Sequence, residues 1–131
     1  MTQGQYDQAK PLLEKSLEIA SGLFGGDHPL TLQIINNLGV LHRGQGHYEE
    51  AESLLRQALD ERQHKLGNDH LACFESMHEL AVLYKQQNRY DEAEPFLLKA
   101  FEGRRLKLGD THPHTKESLN NLIEIYEAWN K

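Results

Sequence analysis

Eight histidines, one cysteine and several closely spaced glutamates are the side chains of this 131-residue chain that could do chemistry. Imidazoles grouped with thiolates or carboxylates at short spacing would make a zinc site. His112 and His114 flank Pro113, but no cysteine or carboxylate completes a zinc-like spacing around them, and His47, His64 and His78 stand isolated in the sequence. Cys73 could act as a nucleophile, yet no base in a characteristic local motif accompanies it. Gly22, Gly25 and Gly26 do not follow the order of a phosphate-binding loop. The pairs Glu50/Glu52 and Glu92/Glu94 fall where helices should begin, and there the helix dipole explains them without acid–base work. The expectation is a chain with no catalytic residues, no metal site and no cofactor.

The elements that would position these residues follow from an internal repeat. Tyr6, Tyr48 and Tyr90 recur at a step of 42, as do Ala9, Ala51 and Ala93, then Leu13, Leu55 and Leu97. Gly25, Gly67 and Gly109 keep the same step, as do His28, His70 and His112, and Leu38, Leu80 and Leu122. The recurring histidines precede helix starts, which implies a loop-packing or capping role in each unit. Cys73 occupies the repeat position of Thr31 and Thr115. Each unit reads as two helices. Ile35, Leu38, Val40 and Leu41 give the first an apolar face, and Ala51, Leu54, Leu55, Ala58 and Leu59 give one to the second. Gly44-Gln45-Gly46 separates them, Gly67 stops the second, and Asp27-His28-Pro29 opens the next first helix. Helices are expected at about 5–24, 29–45, 48–66, 71–87, 90–108 and 113–129. Pro11 and Pro95 should lie near helix starts, each removing one backbone bond. No strand-like alternation is present, which excludes a propeller. HEAT and armadillo repeats have a similar length and are the structural competitors. Small residues mark close helix approach: Gly39 and Ala81 on first helices, and Ala9, Ala51, Ala93, Ala58 and Ala100 on second helices.

The series Ile35…Leu38-Gly39…His42…Gly46-x-Tyr48…Ala51…Leu55…Ala58 resembles the tetratricopeptide repeat (TPR) signature position by position. Met77…Leu80-Ala81…Tyr84…Asn88-x-Tyr90…Ala93…Leu97…Ala100 resembles it too. Ile35, Met77 and Leu119 replace the usual first-position Trp, and the step is longer than the common one of about 34 residues. The Gly-Asp-His-Pro and Leu-Asn-Asn-Leu segments are similar to the long repeats of kinesin light chains and of bacterial multidomain signalling proteins. The resemblance implies an all-α, right-handed solenoid of antiparallel hairpins, a single array over 1–131 with six helices. It starts in the second-helix phase and ends in the first-helix phase. That phase leaves apolar end surfaces and suggests part of a longer array, or a chain that associates end to end with copies of itself.

The resemblance also implies function: a protein-interaction module or scaffold that takes a peptide or partner helix in a concave groove lined by first helices. The alternative is a structural spacer, or a ligand-sensing regulatory array of a larger signalling protein. The repeat alignment places Gln33, Asn37, Val40, Arg43 and Gly44 on the binding stripe. It adds Glu75, Glu79, Val82, Lys85 and Gln86, and then Glu117, Asn121, Glu124, Glu127 and Ala128. Asn37 and Asn121 are amides that donate and accept at once, suited to a peptide backbone. Charge looks graded, with Arg43 and Lys85 toward one end and Glu117, Glu124 and Glu127 toward the other. Only the middle unit has His78-Glu79 in place of Asn-Asn, and an ionised Glu79 asks for a donor or a positive charge in the ligand. The two-carboxylate clamp of chaperone-binding TPR proteins is not assembled, so a chaperone tail is not the expected ligand. A net charge of −6 argues against nucleic acid as a partner. There is no run of about 18 apolar residues to span a membrane. The lone cysteine favours a reducing compartment, and a cytoplasmic location is expected.

Overall fold

A computed structural model describes residues 2–129; Met1, Asn130 and Lys131, at the limits of the expected 1–131 array, lie outside the described residues. Six α-helices follow one another: α1 (Gln3–Phe24), α2 (Pro29–Gly44), α3 (Tyr48–Leu66), α4 (Leu71–Gln86), α5 (Tyr90–Leu108) and α6 (Pro113–Trp129). The fold is the expected all-α helical repeat, with no strand among the described residues. The helices gather into two compact units, Met1–Gly67 and Asn68–Lys131. In the first, α2 packs on both α1 and α3; in the second, α5 packs on both α4 and α6, and α4 also reaches α6.

The loops are built from one recurring device. The histidine before each first helix is its N-cap: the Nδ1 atoms of His28, His70 and His112 accept from the backbone N–H groups of Leu30, Ala72 and His114 at 3.0–3.1 Å. An imidazole nitrogen thereby does the work usual for a Ser or Asp oxygen, satisfying one orphan donor of the first turn. Gly25, Gly67 and Gly109 end the second helices at φ of 93°, 87° and 92°, a region that costs other residues a Cβ clash. The turn inside each hairpin uses the same left-handed region, and there Asn88, at φ 61°, replaces glycine. α1 starts earlier than expected because Thr2 forms a capping box with Gln5. Pro11 and Pro95 both lie inside their helices, past the first turn, and not near the starts.

Packing inside the hairpins depends on the small residues. A Cβ added to Gly39 would lie 2.7 Å from Leu55 Cγ and 3.4 Å from the Ala51 carbonyl oxygen, so α2 and α3 touch nearly backbone to side chain. Leu32, Ile35 and Ala58 form the adjoining core, with Leu17 and Leu54 against it. In the second unit Met77, Leu80, Ala81, Leu83, Tyr84, Ala93, Leu97 and Ala100 are buried. Each fully buried large side chain there contributes about 1.5–3 kcal/mol. Gly103 is a further contact glycine, since a Cβ there would run into the Phe74 ring. Gly44, expected on the binding stripe, instead lies under the phenol of Tyr6, where α1 meets α2.

Replacing Gly39 by Val gains helix propensity but forces two extra carbons and a Cβ against Leu55. We expect a net loss of about 1–3 kcal/mol, read as a lower urea midpoint. A midpoint at or above wild type would show that α2 and α3 do not need this contact.

Candidate partner-binding site

The candidate binding residues lie on the three first helices: Gln33, Asn37, Val40 and Arg43 on α2, Glu79, Val82 and Lys85 on α4, and Glu117, Asn121 and Glu124 on α6. On α2, Gln33 Nε2 donates to Asn37 Oδ1 at 2.9 Å, and Arg62 Nη2 from α3 donates to Gln33 Oε1 at 3.0 Å. Val40 and Arg43, both half-buried, follow along the same helix.

In the second unit the stripe is a connected polar surface shared by α4 and α6. Lys85 Nζ donates to Asn121 Oδ1 at 2.9 Å and pairs with Glu124. Asn121 Nδ2 donates to the Glu117 carbonyl at 2.9 Å. The ammonium and the carboxylate are therefore neighbours, and the expected separation of cations from anions does not hold within this unit. Deeper on the same surface, His78 is 2% exposed. Its Nε2 lies 2.7 Å from Glu117 Oε1, and its Nδ1 lies 3.0 Å from Ser118 Oγ. Arg104 Nη1, from α5, donates to Ser118 Oγ at 2.9 Å and to the His114 carbonyl at 3.4 Å. Burial lowers the proton affinity of the Arg104 guanidinium, while the carboxylates of Glu117, Glu79 and Glu75 oppose that shift. Beside this surface the Tyr126 phenol is raised above its ordinary range, chiefly by its hydrogen bond to Glu94 and then by burial.

His78, Ser118 and Arg104 were not among the sequence-derived site residues. His78 looked isolated because its partners are one helix pair away: 39 residues to Glu117 and 40 to Ser118. Lys85 and Glu124 are also 39 apart. That shared offset, slightly less than the repeat step, marks the residues that meet across consecutive first helices. Buried Arg62 and Arg104 themselves recur at the 42-residue step, a signal available in the sequence.

Two family models described as tetratricopeptide repeat match residues 1–62 and 74–114. The chain belongs to the tetratricopeptide repeat family. Its TPR fold is similar to that of BtubC (BKLC) from P. vanneervenii, at a TM-score of 0.85 and 24% identity, covering 97% of this chain and 51% of that one. It is also similar to the nearly identical TPR-like repeats of a Podosopora anserina protein assigned as a kinesin light chain. There the TM-score is 0.86 with 28% identity, covering 97% of this chain and 60% of that one, and a variant of the same repeats matches equally. The TPR chain thus spans about half to three fifths of the length of these structures. No curated protein matches it. TPR repeats are in general protein-interaction modules. No described helix is long and apolar enough to cross a membrane.

The first TPR hairpin carries its own titratable group. His42 lies 3.4 Å, nitrogen to nitrogen, from His47 and lines a recess of about 460 Å³ with Glu49, Glu50, Ser53 and Leu54. Burial, then the charges of Lys10 and His47, hold its pKa below the ordinary imidazole range, against the pull of Glu50 and Glu14. The folded chain binds this proton less readily than the unfolded chain. Stability from His42 is therefore full above the ordinary imidazole pKa and is lost as pH falls through the depressed value. Thermal denaturation from pH 7.5 down to about pH 5 should show a falling Tm, and His42→Tyr, the residue of the other two units, should flatten that fall. An unchanged slope in His42→Tyr would assign the acid sensitivity elsewhere.

Proposed function

We propose that this chain is a protein–protein interaction module and that an extended peptide or a partner helix lies along the polar first-helix face of a unit. The observation that carries the reading is the α4–α6 surface, where Lys85, Asn121 and Glu124 form one hydrogen-bonded group at the protein surface. Asn121 retains a second amide hydrogen and a second lone pair beyond the bonds to Lys85 and Glu117, enough to meet both groups of a peptide unit. Glu79 and Glu117 make the same face acidic and favour a ligand bearing a donor or a positive charge. In the first unit, Gln33, Asn37, Val40 and Arg43 on α2 offer a polar and apolar face of their own. Main-chain bonds would give affinity with little sequence reading, and the acidic positions would select the side chains.

Capture of partners by the immobilised chain, identified by mass spectrometry, tests this directly. Asn37→Ala with Asn121→Ala should weaken a captured partner by about 10-fold or more, equivalent to two lost hydrogen-bond sets. Arg43→Glu with Lys85→Glu should change the partner profile. A spacer that only positions other domains would show neither effect, and unchanged capture by both double variants would overturn the binding reading.

Self-association is a second part of the reading, and it rests on a different observation. α6 exposes Leu119 (41%) and Ile123 (46%), at the repeat positions where Ile35 and Gly39 are covered by a second helix. α1 is a second helix by phase and exposes Leu12 (69%), Ile19 (51%) and Leu23 (71%). One copy's α1 would cover these apolar side chains of another copy's α6 in a heterologous contact, wider than that of α2 and α3 because Ile123 stands at the Gly39 position. Light scattering should show a mass that rises with concentration in wild type and stays at one copy in Ile123→Lys; a monomer throughout for wild type would remove this part.

A further inference from the structure

We infer that His78, Glu79 and Glu117 form a binding site for a divalent transition metal of the zinc type, a reading that stands without a peptide ligand although it uses two carboxylates of the same face. The ligand atoms these three side chains offer lie within 4.8 Å of one another. The imidazole is the fixed member: His78 is 2% exposed, with Nε2 2.7 Å from Glu117 Oε1. Its other nitrogen is held by Ser118 Oγ at 3.0 Å, and Ser118 is held in turn by Arg104 at 2.9 Å. A ligating histidine characteristically has its second nitrogen oriented by such a partner, which fixes the ring plane and raises the affinity of the first nitrogen for metal. The imidazole is oriented before any ion arrives.

Charge points the same way. Glu75, Glu79 and Glu117 all act on Arg104, and three carboxylates around one guanidinium leave two formal negative charges if the imidazole is neutral. A divalent cation cancels them. One nitrogen and two carboxylate oxygens suit zinc or its neighbours better than magnesium or calcium, which prefer all-oxygen shells. Three protein ligands leave the remaining position to water. Bond lengths of about 2.0–2.2 Å place tetrahedral ligands roughly 3.4 Å apart. The His78–Glu117 contact must therefore open slightly while Glu79 closes in, movements available to an exposed and a half-buried carboxylate. The ion takes the place of the Nε2 proton that faces Glu117, and the neutral ring then carries its one proton on Nδ1, donating it to Ser118 Oγ. The pattern is confined to the middle repeat, because the equivalent positions hold Asn36-Asn37 and Asn120-Asn121. The inference departs from the sequence expectation of no metal, which saw His78 without its partners on α6.

Isothermal calorimetry of the metal-stripped whole chain with Zn²⁺ as the only added ligand tests the site. The expected result is one equivalent bound, with loss of that equivalent in Glu79→Gln/Glu117→Gln. Ser118→Ala should bind about 10-fold more weakly, as loss of an orienting partner does. The two glutamates are outside the core, so their replacement by Gln leaves the hairpins folded, and circular dichroism verifies it. His42→Ala and His112→Ala remove the other paired imidazoles and should retain the equivalent. Wild type that binds no Zn²⁺, or an equivalent that survives in Glu79→Gln/Glu117→Gln, overturns the site, as does one lost with His42 or His112.

Discussion

Two helices can lie against each other only as closely as the bulkiest residue between them allows, and here that residue is often no side chain at all. Gly39 lets Leu55 settle onto the α2 backbone. Gly103 does the same for Phe74 in the second unit, and Ala51, Ala58, Ala93 and Ala100 keep the remaining contacts thin. Such close approach brings large apolar side chains into contact along the hairpin, and the buried leucines contribute only because that space exists. The polar surface of α4 and α6 depends on the same spacing, because Lys85 and His78 must reach the next first helix to find their partners.

Loop chemistry maintains the register of that packing. A histidine cap, a left-handed glycine and a short turn return in each unit, so each first helix is started and each second helix stopped by its own residues. Thr31 Oγ1 adds a bond to the Gly25 carbonyl at 2.8 Å, tying a first helix to the loop before it. Cys73 lacks the hydroxyl at that position, and the start of α4 keeps the same form with the His70 cap.

The helices, their turns and the small-residue contacts were legible because they recur at a constant step, and repetition separates a constraint from an accident. The recurring histidines read as packing or capping residues; an Nδ1 aimed at a backbone N–H and a ring lying in a loop leave the same trace in a sequence. The cross-helix partners were not legible in the same way. They follow offsets of 36, 39 and 40, set by the angle and spacing of neighbouring first helices and not by the repeat itself. Arg62 and Arg104 are hard to read from sequence because a charged residue on a helix is normally solvated; each is buried and bonded to a first-helix side chain. Pro11 and Pro95 lie past the first turn of α1 and α5, in helices whose packing on their neighbours sustains them despite the lost backbone bond.

The difference between the two offsets leaves the molecule with separable instructions. Residues obeying the step of the duplication maintain the architecture, and residues obeying the shorter interval meet only at the surface between neighbours. A single copy can therefore diverge in what it recognises while its scaffold residues stay as they were. His78-Glu79, where the neighbouring units hold an amide pair, is such a difference, carried by a hairpin built like the others.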